Sequence, residues 1–202
     1  MMPELYVINM KNLMIIQENS NRNEYFTVED YMFNNRELVL DDDVNPHTMT
    51  SLINQVRYLD KISPGEEITL YINSPGGEVT SGLVLYDVLR LVKSPIRTVC
   101  IGTAASMGAI LFLAGDKRCM TIHSQIMIHD PAVRMGNAPS KALSVQETLD
   151  SLMKTREELA RIIADRTHKP IRSIYAKTKG DAYFNAKEAL EFGLATEIVD
   201  EI

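Results

Sequence analysis

Three short pieces of this chain carry groups suited to attack on a carbonyl: GTAASMGA (102–109), SPGG (74–77) and MIHDP (127–131). The first sets one serine, Ser106, in a run of small residues where backbones can approach closely. Two readings of that serine stand side by side. It can cap a helix, since Ser is a favoured N-cap, or it can be a nucleophile that a substrate must reach. In the second reading the Met107 N–H, at the helix opening, faces the place where negative charge develops. SPGG offers a second donor, because a glycine pair between strand and helix can turn N–H groups outward. Gly77, the last residue before the helix, is the better candidate there; an ordinary strand-to-helix turn is the alternative.

Acyl transfer at a serine also needs a base and a group that orients the base. The histidines are His47, His123, His129 and His168. His47 and His168 lie in polar, turn-like or helix-end contexts, and His123 at a strand turn. His129 alone ends an apolar strand, QIMIH, where a site would open, although a structural histidine fits the same place. Asp130 is its neighbour, but adjacent strand residues point to opposite faces, which makes it a poor orienter. Asp116, Asp165 and Asp181 remain, and spacing does not choose among them.

The elements that must position these groups follow from periodicity. ELVLDD (37–42) reads as a strand. NPH (45–47) starts a helix on which Met49, Leu52, Ile53, Val56 and Leu59 recur. SPGEE (63–67) is a turn, ITLYIN (68–73) a strand, and 78–93 a helix closed by Pro95. TVCIG (98–102) is a strand, Ser106–Ala114 a short apolar helix, and KRCMTI (117–122) and QIMIH (125–129) two further strands. Alternating strands and helices predict an α/β fold around a largely parallel sheet. Ligands in such sheets sit at the carboxyl ends of strands, where SPGG and GTAAS both lie.

Residues 139–167 keep one apolar helical face through Ala142, Val145, Leu149, Leu152, Met153, Leu159, Ile162 and Ile163. Such a helix is on the order of 43 Å long, against a radius of gyration of about 16–17 Å for a chain of this size. Either part of it projects, with a partner covering its stripe, or it packs lengthwise on the sheet. After it, Asn185 and Glu188 have capping-box spacing, Gly193 suits a helix C-terminus, and LATEIV (194–199) is the last strand. Residues 1–35 are weakly patterned, and NSNRNEY (19–25) reads as a polar loop.

Composition narrows the function class. With 45% apolar and 24% charged residues in 202, the chain can form a soluble domain with a real core. A net charge of −6 disfavours nucleic acid or an anionic membrane as the main partner. Cys100 and Cys119 have no metal-binding spacing and read as buried free thiols of a reducing cytoplasm. The N-terminus lacks a secretory pattern, and the apolar run AILFLAG (109–115) is too short to span a bilayer.

Taken together, INSPGGEV, GL..YD, CIGTAASMGAIL.LAG.KR, SQIMIHDP and AKEALEFGL resemble the ClpP family of self-compartmentalised serine peptidases, over about residues 20–200. AASMGA with MIH-x-P at this spacing is the specific part. The resemblance implies that Ser106 matches the nucleophile, His129 the base and Asp181 the triad acid, with Gly77 and Met107 as oxyanion-hole amides. It implies a crotonase-like head of parallel βα units with a protruding handle at about 130–168, a single domain over 36–202, and an N-terminal segment, 1–35, that includes a candidate propeptide and axial loop. It implies heptameric rings stacked as a tetradecamer, polypeptide substrates, and a ring-shaped AAA+ unfoldase as the partner that uses ATP. No cofactor or metal is expected in this subunit.

Departures from the family pattern are also visible. Asp130 stands where the family usually has Gln, and Val133-Arg134 where paired glycines are usual. Gly180 replaces the Arg that commonly precedes the triad Asp, RTH (166–168) replaces HTG, three acids follow ELVL, and Thr69 replaces an aromatic while Tyr71 remains. These suggest a divergent paralogue. A non-catalytic or weakly active partner in a mixed ring is therefore a rival reading. A crotonase-type acyl-CoA enzyme is a more distant one, since such enzymes use carboxylates rather than a Ser–His–Asp set.

Overall fold

The computed structural model describes residues 5–7, 14–19, 22–133 and 141–202. Two compact units divide at Leu38 and Val39. In the first, β1 (Leu5–Val7), β2 (Met14–Asn19) and β3 (Arg22–Thr27) form an antiparallel sheet followed by α1 (Val28–Asn34). This corrects the loop expected at 19–25: Asn19 and 22–25 are paired strand, in register Asn19↔Arg22. Strand pairing satisfies backbone groups whatever the side chains, so the polar NSNRNEY run hid it. The candidate propeptide lies mostly outside the described residues. Thr27 caps α1, its hydroxyl accepting from Asp30 N–H at 3.0 Å while Asp30 accepts from Thr27 N–H at 3.0 Å.

The second unit is the α/β structure expected from the alternating pattern. Its main elements are β4 (Glu37–Leu40), α2 (Pro46–Ile62), β5 (Ile68–Ser74), α3 (Val79–Leu91), β6 (Ile96–Ala105), α4 (Met107–Leu113), β7 (Lys117–Thr121) and β8 (Gln125–Ile128). After them come α5 (Ala142–Thr167), α6 (Ile171–Thr178), β9 (Ala182–Asn185), α7 (Ala186–Phe192) and β10 (Glu197–Val199). Asn45 caps α2 by accepting from the His47 and Thr48 N–H groups at 2.9 and 3.0 Å, with Pro46 at the first helical position. The core runs through the sheet: Ile72, Val99, Cys100, Leu111, Phe112 and Met120 are fully buried. Cys100 and Cys119 are free and buried, and burial raises the Cys100 thiol above its ordinary pKa.

The sheet order is β10-β7-β6-β5-β4, with β8 joined to β6 and β9 to β8. β6 is longer than the TVCIG strand expected from sequence, and its two halves have different neighbours. Arg97–Cys100 pair in parallel with β7, whereas Thr103–Ala105 pair in parallel with β8. That switch opens the sheet at its carboxyl edge. β9, which the periodicity does not mark, runs antiparallel to β8 with Ile128 opposite Ala182.

α5 resolves the two alternatives for the long helix into one of each. Leu159, Ala160, Ile163 and Ala164 in its last turns are buried. Leu143, Leu149 and Met153 in its earlier turns are 71%, 49% and 50% exposed. The helix begins at Ala142; residues 139 and 140, and Arg134, lie outside the described residues. The last strand is also shorter than LATEIV, because the Leu194 and Ala195 N–H groups both turn back to the Ala189 carbonyl behind Gly193.

Candidate active site

Ser106 sits between β6 and α4 with φ 53° and ψ −118°. That region is sparsely populated for a residue with a Cβ and costs about 1–3 kcal/mol, so the surroundings must impose it. They do. Its N–H donates to the Met127 carbonyl of β8 at 2.8 Å, and its carbonyl accepts from Ala109 and Ile110 N–H at 3.0 and 3.3 Å. Ser106 occupies the N-cap position, but its hydroxyl makes no capping hydrogen bond. Instead Oγ lies 2.8 Å from His129 Nε2. A serine at a strained strand-to-helix turn, aimed at an imidazole, has the geometry of an activated nucleophile.

The small residues of GTAASMGA now have a cause. The SPGG turn backs directly onto Ser106. A Cβ on Gly76, whose φ is 91°, would meet the Ala105 carbonyl, the Met107 N–H and Ser106 Cβ. A Cβ on Gly102 would likewise strike the Asn73 side chain, and one on Gly108 would sit tightly, 3.1 Å from the Ser74 carbonyl. Met107, the one large residue of the run, lies against Gly82 of α3, where a Cβ would strike its side chain. Gly77 forms a parallel bridge with Val44: Val44 N–H donates to Gly76 O at 2.8 Å and Glu78 N–H to Val44 O at 2.7 Å. Among the described residues, neither the Gly77 nor the Met107 N–H has a hydrogen-bond acceptor. Both residues line the cavity at Ser106. Ser74 braces the turn, its hydroxyl donating to Asp42 O at 2.7 Å and accepting from Gly76 N–H at 3.1 Å.

His129 follows β8 directly. Its other ring nitrogen, Nδ1, is 3.7 Å from Asp181 Oδ1, and the Asp181 side chain is 62% exposed. The β8–β9 register explains the encounter: with Ile128 opposite Ala182, the next pair outward is His129 and Asp181. The other aspartates are engaged elsewhere. Asp116 accepts from Ile96 N–H and from Arg90; burial would raise its pKa, but those two partners hold it below the ordinary value. Asp165 lines a groove beside α3 and α5, away from Ser106. Asp130 points to Arg156 and Thr178, not back to the imidazole.

The cavity in front of Ser106 is about 220 Å³. Val79, Ile110, Ile128, Leu159 and Ile163 make much of its wall apolar.

The model of the Clp protease family matches residues 19–202 of this chain. The chain belongs to the Clp protease family. It is similar to the ATP-dependent Clp protease proteolytic subunit of Bacteroides thetaiotaomicron, 39% identical over 166 residues, which cover 81% of this chain and 74% of that protein. As a Clp family protease it hydrolyses peptide bonds. Among its described residues, no helix is long and apolar enough to cross a membrane.

Several residues that shape this Clp protease site escaped sequence reasoning. Gly76 was seen only as one of a glycine pair, and Met127 supplies a backbone carbonyl that no residue type announces. Ser74 could have been suspected, since a serine directly before Pro-Gly-Gly often hydrogen-bonds its own turn.

Proposed function

We propose that this chain is the proteolytic subunit of an ATP-dependent protease and cleaves polypeptides through an acyl-enzyme on Ser106. The 2.8 Å contact between Ser106 Oγ and His129 Nε2 carries the reading. His129 takes the hydroxyl proton as Oγ attacks the scissile carbonyl and returns it to the leaving amine. Water then attacks the ester, with His129 again as base. Asp181 favours the tautomer with the proton on Nδ1 and stabilises the imidazolium as it forms. The Gly77 and Met107 N–H groups, otherwise without acceptors, receive the developing oxyanion. The apolar wall of the cavity suits a medium-sized apolar side chain on the acyl side of the cleaved bond.

The scheme draws its proton transfers from side chains and needs no cofactor in this subunit. ATP is consumed by an AAA+ unfoldase that delivers unfolded chains. The exposed apolar residues on the first half of α5 support assembly with further subunits, which we place as a heptameric ring stacked into a tetradecamer. Two buried cysteines left as free thiols suit a cytoplasmic enzyme. The preformed serine–histidine pair favours an active subunit over a silent partner in a mixed ring.

Intact-mass measurement after treatment with a fluorophosphonate tests this. One adduct on the native protein, absent from Ser106→Ala while native mass shows the assembly unchanged, is the expected result. An adduct that persists in Ser106→Ala, or none in the fully assembled protein, would sink the assignment.

A further inference from the structure

The Asp130 carboxylate turns away from the cavity into a contact set of its own. Oδ2 accepts from Arg156 Nε at 2.6 Å, Oδ1 accepts from the Thr178 hydroxyl at 2.6 Å, and the Asp130 N–H donates to the Thr178 carbonyl at 2.8 Å. The Arg156 guanidinium carbon stands 4.3 Å from the centre of the Tyr175 ring. The side chains of Arg156 and Asp130 are 26% and 31% exposed, so the pair is partly shielded from solvent. Short, charge-assisted hydrogen bonds in such a setting are stronger than those of a fully exposed pair.

What this set joins gives it meaning. Asp130 is the residue after His129. Thr178 ends α6, three residues before Asp181. Arg156 lies in the middle of α5, between its exposed and its buried turns. One carboxylate therefore ties the residue beside the base to the segment that delivers the acid, and ties both to the long helix. Asp181 itself is weakly held, with its side chain 62% exposed and 3.7 Å from Nδ1. Gly180 before it has nothing within 4 Å of its Cβ position. The doubled link between Asp130 and Thr178 lies beside that gap, one residue from His129 and three from Asp181.

We infer that Asp130, held by Arg156 and Thr178, is a positioning residue that sets the His129–Asp181 separation and with it the rate of proton transfer from Ser106. The inference rests on reading Ser106 and His129 as nucleophile and base. Asp130, Arg156, Thr178 and Tyr175 do not line the cavity at Ser106. Their loss should therefore slow the chemistry and leave substrate affinity alone.

A double-mutant cycle on Asp130→Asn and Arg156→Gln tests it in the assembled protein. Two quantities are read: the rate of fluorophosphonate labelling, in which the Ser106 Oγ–phosphorus bond forms and fluoride leaves, and kcat and KM on a short peptide. Each single change should lower labelling and kcat about tenfold, with KM within about twofold of the unaltered protein. The double variant should be no slower than the slower single one, since both remove the same link. Labelling at the unaltered rate, a loss carried by KM, or losses that multiply in the double variant would each overturn the proposal. Should Asp130→Asn fail to assemble, Arg156→Gln on its own decides through labelling and the kcat-against-KM split. If the unaltered assembly is not labelled at Ser106, the site reading itself falls and takes this inference with it; normal labelling with indifferent variants removes only the inference.

Discussion

At Ser106 the backbone has no room, and at Asp181 it has plenty. Ser106 sits at φ 53° on a tightly packed turn, with Gly76 so close that a single methyl would strike the backbone on either side of it. Asp181 sits in an exposed segment after a glycine whose Cβ position is open. The difference reflects where each demand falls in the reaction. In the proposed reaction Oγ and the Gly77 and Met107 N–H groups must meet one carbonyl within a few tenths of an ångström, and only close-packed backbone holds such geometry. In the same proposal Asp181 biases a tautomer and favours a cation, which tolerates a longer and softer contact.

The largest expected effect breaks the packed half. Gly76→Ala combines a positive φ with overlap of the Ala105 carbonyl and the Met107 N–H. It should cost on the order of 3 kcal/mol of stability in denaturant unfolding and abolish peptide hydrolysis in whatever remains folded. A variant of ordinary stability and activity would show that close packing is not what aims Ser106.

Asp181→Asn tests the loose half. Its kcat on a short peptide should fall by about 10²-fold, less than the roughly 10⁴-fold loss known for a buried triad acid, because this carboxylate is exposed and distant. Thermal melting should stay within about 0.5 kcal/mol of the unaltered protein, as for other exposed changes. A loss as deep as that of Ser106→Ala would mean the contact tightens well below 3.7 Å during the reaction.

Gly180→Ala sharpens the contrast with the smallest effect. The added methyl meets open space and removes freedom from the unfolded chain, so unfolding in denaturant should show a gain of about 0.5 kcal/mol. The same change at Gly76 has the opposite sign. If Gly180→Ala is destabilising, the segment before Asp181 is more constrained than its surroundings indicate.

Much of the fold was legible because its elements announce themselves locally. The Asn45-Pro46 start of α2, the Asn185–Glu188 capping box and the apolar strands β5 to β8 are written in residue types a few positions apart. β9 and the first-unit strands were not. AYFN pairs with β8, far off in sequence, whereas β2 and β3 pair as near neighbours but NSNRNE carries no alternation to mark them. Ser106 and His129 could be singled out by type and context. Asp181 could not be separated from Asp116 and Asp165 by spacing, and rested on the family resemblance. Asp130, by strand geometry a poor orienter of its neighbour, offered no sign of its link to Arg156, 26 positions away.

Local sequence, then, settled most helices and strands of the second unit, that its sheet is mainly parallel, and which small-residue turns end its strands. Backbone propensity, capping and periodicity act within a few residues, so one strand of text contains them. Register belonged to the tertiary structure. Whether Ser106 caps a helix or meets an imidazole depends on β6 exchanging β7 for β8 as its neighbour midway, and which aspartate faces His129 depends on Ile128 lying opposite Ala182. Those alignments are chosen by the packing of the whole sheet, where shifting one strand by a single residue would turn each of its side chains to the other face.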